Sequence, residues 1–237
     1  MEMGENFYFR VISLFEDLTD SELERIARSC HTRRYEKHAR IAAEGDHSTD
    51  VFFILEGSVR VNSITRGGRE VIFSDLVVGD VFGEFAAVDH QPRSATLMAL
   101  SNCLLARMTA ERFFELLREN NSVAIHLIQL LVGIIRRTSE RMFEMSALSL
   151  RDRLRRELLR LAEHCAHSGH SVVIHPAPTH QDLAALIGTH REAVTKELSR
   201  LEGAQIVEVK RGEIRILDLR ALERGDGRLA RTGDGRD

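Results

Sequence analysis

Two stretches of this chain carry residue types whose order suits the handling of anions. In the first, Val81-Phe82-Gly83-Glu84-Phe85-Ala86-Ala87 is followed by Asp89-His90-Gln91-Pro92 and then by Arg93-Ser94-Ala95-Thr96. A strand gives way to one short helical turn opened by Gly83, and a loop then returns Arg93. Free amides at a helix start favour an anion, and a forked guanidinium suits phosphate. Glu84 is a poor phosphate neighbour but a good acceptor for sugar hydroxyls. The same residues also fit a surface turn with a Glu–Arg ion pair, so spacing alone leaves both readings open.

The second stretch runs from Thr179 to Leu201. Thr179 caps a short helix with Asp182 in the capping-box position, Gly188 ends it, and a second helix begins near His190 or Arg191. Leu183, Ala184, Ile187, Val194, Leu198 and Leu201 face inward, which is a helix-turn-helix layout. Ile206–Val209 and Glu213–Leu217 supply a two-stranded wing. Elsewhere, His164, Cys165, His167, His170 and His175 could hold a metal, but the helical pattern ends there, so a solvated His-rich loop is expected. No nucleophile–base motif, phosphate loop or paired-acid signature appears, so no reaction is assigned.

These tracts need elements to position them. An apolar pattern from about Thr109 to about Ser146 predicts one helical rod of about 55 Å. Its heptad positions are Ile128, Leu131, Ile135, Thr138, Met142 and Met145, the seam of a two-stranded coiled coil. Thr138, with Ser139 beside it, either sets the register of that seam or faces a polar ligand. Upstream, short β-branched and aromatic runs between Arg33 and Met108, with a hairpin at Arg66-Gly67-Gly68-Arg69, predict a sandwich, barrel or jelly roll. An amphipathic helix follows Thr19-Asp20-Ser21-Glu22. Downstream, residues 150–165 form a helix with a stripe of Leu150, Leu154, Leu158 and Leu161; its arginines 151, 153, 155, 156 and 160 read as a solvated face. A short strand covers Val172–His175, and residues 220–237 read as a frayed tail.

The totals narrow the class. At 237 residues the chain has room for two domains, and its net charge of −3 demands that any nucleic-acid contact come from a local patch. Cys30, Cys103 and Cys165, odd in number and scattered, suit a reducing cytoplasm. No apolar run reaches membrane-spanning length, and MEMGENFYFR lacks the features of a secretory signal.

Taken together, the residues resemble the cyclic-AMP receptor protein (CRP/FNR) family of bacterial transcription factors over nearly the whole chain. Gly57-Ser58-Val59, Gly79-Asp80-Val81-Phe82-Gly83-Glu84, Arg93-Ser94-Ala95, Thr138-Ser139-Glu140 and Gly188-Thr189-His190-Arg191-Glu192 carry it, in the family's order. The resemblance implies an α+β fold: a cyclic-nucleotide-binding β-roll (jelly roll) over residues 1–108, a dimerisation helix and hinge over 109–147, a winged helix-turn-helix over 148–220 and a flexible tail over 221–237. It implies a cyclic nucleotide, cAMP or cGMP, as allosteric effector, with no metal. Gly83 and Glu84 match the phosphate-binding cassette, with Glu84 on the ribose 2′-hydroxyl, and Arg93 and Ser94 match the residues on the cyclic phosphate. Thr138 and Ser139 match the pair that meets the purine, one from each subunit of a homodimer. Arg191, Glu192 and Lys196 match base-reading positions on a palindromic TGTGA-like double-stranded DNA site, while Thr179 and Gln181 match backbone-phosphate contacts. RNA polymerase is the further implied partner, and neither an enzyme nor a membrane protein is implied.

The chain departs from the family in places. Lys196 replaces an arginine and loses its fork. His190 stands where serine often caps the recognition helix, with Thr189 as the substitute cap, and Ala193 lacks a phosphate-reaching hydroxyl. Residues 191–215 hold six basic and five acidic side chains, so non-specific DNA affinity is expected to be modest. The alternative is a regulator on the same scaffold that senses redox or metal, or that binds DNA without nucleotide. An iron–sulfur version needs about four cysteine ligands.

Overall fold

A computed structural model of the chain describes residues 6–163, 165, 167–168 and 171–224. It contains two compact units, Met1–Arg137 and Thr138–Asp237. Among the described residues no helix is long and apolar enough to cross a membrane.

In the first unit, α1 (Asn6–Phe9), a 3-10 turn (Ser13–Phe15) and α2 (Asp20–Ser29) precede eight strands: β1 (His31–Tyr35), β2 (Arg40–Ala42), β3 (Val51–Glu56), β4 (Val59–Ile64), β5 (Glu70–Leu76), β6 (Val81–Phe82), β7 (Thr96–Ala99) and β8 (Cys103–Met108). Between β6 and β7 lies α3 (Glu84–Asp89), and after β8 come α4 (Ala110–Glu119) and α5 (Asn121–Ala147). The strands form two antiparallel sheets, ordered β1-β8-β3-β6 and β2-β7-β4-β5, which is the expected β-roll. Strand β3 shows why the run Val51-Phe52-Phe53-Ile54-Leu55 is apolar throughout: both of its faces are covered. Phe52 and Ile54 pack into the core between the sheets, whereas Val51, Phe53 and Leu55 join Phe15, Phe113 and Leu127 in a second core beneath the helices. The hairpin at Arg66–Arg69 is present, with the Thr65 amide donating to the Arg69 carbonyl at 2.9 Å. The Thr19 amide donates to the Glu22 carboxylate at 2.8 Å and opens α2 as expected.

The expected single rod is two helices. Asn120 is extended (φ −132°, ψ 97°) and its side-chain amide donates to the Leu116 carbonyl at 3.0 Å, closing α4. Asparagine competes for local backbone groups in this way, and the Asn120-Asn121-Ser122 run marks the break. The remaining helix, 27 residues, is about 40 Å long. The expected seam also shifts. Leu131 is half-buried against its own unit's core, whereas Ile125, Ile128, Val132, Ile135 and Met142 are exposed. With Ser139 these form an unbroken three-four repeat, so Ser139 lies in the stripe and Thr138 beside it.

The second unit holds the end of α5, then α6 (Leu150–Ala162), β9 (His167–Ser168), β10 (Ser171–Ile174), α7 (His180–Leu186), α8 (Arg191–Gly203), β11 (Val207–Lys210), β12 (Glu213–Ile216) and α9 (Leu219–Arg224). Residues 148–149 separate α5 from α6, and the Ser149 hydroxyl caps α6 by accepting from the Asp152 amide. The wing is larger than expected: β9 and β10 extend the β11–β12 hairpin into a four-stranded sheet ordered β11-β12-β10-β9. His167 therefore sits in a strand paired with Val172, although His164 and His170 of the expected loop lie outside the described residues. The expected tail begins too early, because α9 continues to Arg224 and Leu222 is buried in the core with Leu154 and Leu158. A single leucine among charged residues is enough to anchor a helical turn when a core faces it.

The arginine face of α6 is solvated only in part: Arg151 and Arg156 are exposed as expected, whereas Arg155 is buried and Arg160 half-buried. Arg160 donates to both oxygens of buried Glu144 at 2.7 and 3.0 Å and pairs with buried Glu157. Arg156 pairs with Glu144 at 3.4 Å, Arg151 with buried Glu197 at 3.4 Å, and Arg155 is itself buried. The Arg160 bonds to buried Glu144 tie the end of α5 to α6, while Arg151 and Arg156 keep about half of their side chains in solvent.

Candidate functional site

The first candidate site is the β6–α3–β7 segment. Gly83 has φ +88° and opens α3; a Cβ there would lie 2.5 Å from the Asp50 carbonyl and 2.4 Å from an Arg93 nitrogen. Only glycine fits between that backbone and that guanidinium. Arg93 is 4% exposed. Its Nε donates to the Ser48 hydroxyl at 3.1 Å, Nη1 to the Gly83 carbonyl at 3.1 Å and Nη2 to the Asp50 carbonyl at 2.7 Å. Those bonds use three of the five N–H groups and fix the fork against the start of α3. Phe52 lies under the guanidinium, 5.8 Å from ring centroid to Cζ. Ser94 is exposed next to it.

Glu84, the first residue of α3, is 6% exposed and makes no ion pair with Arg93. The surface-turn reading therefore fails on both counts: the two groups are buried and not bonded to each other. Burial pushes the Glu84 carboxyl up to about 7, against the opposing pull of its own backbone amide and of Arg93. Burial also lowers the Arg93 pKa, opposed by Asp50, Glu84 and Asp46.

A carboxyl with a raised folded-state pKa binds more protons folded than unfolded, so its contribution to stability falls as pH rises from the unfolded value towards 7. We expect Glu84→Gln, which imitates the protonated form, to gain on the wild type by up to about 3 kcal/mol between pH 5 and pH 8. Calorimetric melting of both proteins across that range checks it; parallel curves would show that Glu84 is ordinarily ionised.

Thr138 and Ser139 are both exposed on α5. They belong to the second unit, and the exposed apolar stripe continues through Ser139 to Met142.

The second candidate site is the helix-turn-helix. The Thr179 amide donates to Asp182 at 3.0 Å, and the Asp182 amide donates back to the Thr179 hydroxyl at 3.1 Å. The Thr179 hydroxyl also donates to Asp182, at 2.6 Å. Gln181 is exposed two residues on. Gly188, at φ +66°, makes the left-handed turn after α7, and the Thr189 amide reaches back to the Ala184 carbonyl at 2.9 Å. Thr189 is thus part of the turn and does not cap α8. The cap position is His190, with no side-chain cap bond, which leaves the first amides of α8 without a side-chain acceptor.

Val194, Leu198 and Leu201 are buried, which turns Arg191, Glu192 and Lys196 outward. Among the described residues none of the three is held in an ion pair. On the wing, by contrast, Glu208 pairs with Lys210 at 2.9 Å and Glu213 with Arg215 at 3.1 Å, which cancels much of its positive charge. A groove of about 490 Å³ runs between the starts of α7 and α8 and the wing, lined by Thr179, His180, Gln181, Arg191, Lys210 and Gly212 among others. His180 was not singled out from sequence. Thr195 donates to the Arg191 carbonyl, so His180 Nδ1 is the donor in its 2.8 Å bond to the Thr195 hydroxyl, and it braces α7 against α8. The only hint in the sequence was its place beside Thr179.

Family models match both halves: the cyclic nucleotide-binding domain over residues 32–120 and the Crp-like helix-turn-helix domain over residues 152–225. The cAMP-activated global transcriptional regulator Vfr of Pseudomonas aeruginosa is 30% identical over 192 residues, covering 79% of this chain and 90% of Vfr. The cAMP-activated global transcriptional regulator CRP of Pasteurella multocida is 28% identical over 189 residues, with 79% of this chain and 90% of that one covered. Among solved structures, a CooA mutant from Carboxydothermus hydrogenoformans superposes with a TM-score of 0.78 at 18% identity, covering 90% of this chain and 94% of that one. The c-di-GMP responsive global regulator CLP of Xanthomonas campestris does so with a TM-score of 0.74 at 21% identity, covering 84% and 99%. Both structures share the fold. With a buried arginine and glutamate about Gly83, an outward-facing pair at the start of α8 and these matches along the sequence, the chain belongs to the CRP/FNR family of transcription factors.

Proposed function

We propose that this protein is a cyclic-nucleotide-dependent regulator that acts as a homodimer. The effector is cAMP, with cGMP as the alternative. The α3 amides and Arg93 take the cyclic phosphate, Ser94 adds a hydroxyl, and Glu84 accepts from the ribose 2′-hydroxyl. Thr138 and Ser139 carry over as the purine-facing hydroxyls of the helix. The exposed stripe of Ile125, Ile128, Val132, Ile135 and Met142 meets its copy in the partner subunit. A twofold dimer then sets two α8 helices about 34 Å apart on a palindromic site. Arg191 suits guanine O6 and N7 while Glu192 accepts from cytosine N4, with Lys196 further along the helix and Gln181 on the backbone.

The observation that carries the reading is the burial of Arg93 and Glu84 on either side of a glycine that admits no side chain. Two buried ionisable groups not bonded to each other are costly to fold, which supports a ligand that uses both. To convert a mostly inactive dimer to a mostly active one, that ligand must favour the active state by about 5 kcal/mol. Titration with cAMP and cGMP, together with gel shifts on a TGTGA palindrome, tests this. One of the two should bind and strengthen DNA binding; failure of both, or DNA binding indifferent to them, overturns it. In the same assay Glu192→Ala should relax base preference by about 1–3 kcal/mol at one position of each half-site, with overall affinity for random DNA little changed.

A further inference from the structure

Away from both sites, three side chains with metal-binding atoms converge on one point of the first unit. His126 lies on α5 with its side chain 13% exposed, and its Nε2 is 3.1 Å from Glu16 Oε1 and 3.3 Å from Asp17 Oδ2. All three atoms lie within 4.8 Å of one another. On the opposite edge of the ring, Nδ1 is 3.3 Å from the Leu14 carbonyl oxygen. A carbonyl oxygen can only accept, so Nδ1 carries the proton of that bond. Nε2 then points at an oxygen of each of two carboxylates. Three electron pairs aimed at one point repel unless something positive lies between them.

A proton and a metal ion are the two candidates, and the geometry separates them. The single N–H of an imidazolium at Nε2 can lie along the line to one oxygen, leaving the other carboxylate served only sideways. A metal is approached by all three at once. With bonds of about 2.0–2.2 Å to nitrogen and oxygen, tetrahedral ligand atoms sit about 3.4 Å apart, close to the 3.1 and 3.3 Å from Nε2 to the two carboxylate oxygens. The Leu14 carbonyl on the far nitrogen fixes tautomer and ring orientation, the outer contact that metal-bound imidazoles regularly make. Leu14 is 1% exposed, and α5 is anchored on either side of His126 by buried Val123 and Leu127, so the ring is held by core packing. The two carboxylates are 66% and 63% exposed, which gives an ion a path in and leaves room for water.

We infer that Glu16, Asp17 and His126 form a binding site for a divalent first-row transition metal, with zinc the best match and water in the remaining position. One imidazole among carboxylates favours such an ion over the harder magnesium or calcium. The occupied site ties the turn that follows Phe15 to the helix bearing the exposed apolar stripe.

Zinc titration of the full-length chain without a histidine tag, followed by calorimetry, tests the site. The comparison is with the Glu16→Gln/Asp17→Asn double variant, whose substitutions are on exposed side chains and so should not disturb folding. The wild type should bind one more equivalent of zinc per chain than the double variant, and zinc should raise the melting temperature of the wild type alone. His126→Ala should lose the same equivalent; if it fails to fold, the double variant still decides. Equal stoichiometry in wild type and double variant overturns the inference, as does an Nε2 proton that persists in nitrogen NMR spectra at saturating zinc.

Discussion

Arg93→Ala is expected to weaken cyclic-nucleotide binding by at least about 100-fold, the largest single effect in the nucleotide site. Removing one member of a buried, hydrogen-bonded charge pair costs about 2–5 kcal/mol. In this protein the loss has two parts. The charge-assisted bonds to the cyclic phosphate vanish, and the carbonyls of Asp50 and Gly83 lose the donor that holds them in place. Because the second part lowers stability as well, Arg93→Lys is the needed companion. It keeps the positive charge but cannot bond Ser48, Gly83 and Asp50 together, so it should still lose about tenfold in affinity. Isothermal titration beside melting of the unliganded proteins separates the parts. A folded Arg93→Ala protein with wild-type affinity would remove the cassette assignment.

Ile135→Arg is expected to produce a monomer with at least about 100-fold weaker DNA binding. Ile135 is 63% exposed and central in the stripe from Ile125 to Met142, so the substitution leaves its own unit's packing intact. In a twofold interface every substitution occurs twice against itself, and here it would bury two like charges together. Losing the partner removes the second half-site contact, and linked binding is worth about 100- to 10,000-fold through effective concentration alone. Sedimentation of the variant gives the mass and a gel shift gives the affinity. A dimer of unchanged stability would place the subunit contact elsewhere. Nucleotide binding that survives in the monomer would show that the phosphate and ribose contacts dominate over those at the helix.

Much of this architecture was legible in the order of residues, because it depends on local rules. Alternation and turn residues located the strands of the β-roll, and the hairpin at Gly67-Gly68 needed only its own glycines. Thr179 with Asp182, and Gly188 at a left-handed turn, marked the helix-turn-helix because capping and positive φ are properties of single positions. Gly83, Glu84 and Arg93 lie in a motif of the family and meet at the start of α3 in the fold.

What the chain order did not determine was which side of each element meets a core. The heptad count admitted Leu131 and Thr138 to the seam. Packing of Leu131 on its own unit rotated the free stripe onto Val132 and Ser139. On α6, Arg160 departs from the solvated face expected of it because its partner Glu144 lies on another helix. Leu222 seemed isolated until a core was found beneath it, and His126 gave no sign of Glu16 and Asp17. The physical reason is common to all of these. Periodicity and capping energies act over a few residues, whereas burial and charge pairing depend on neighbours that only the folded chain brings close.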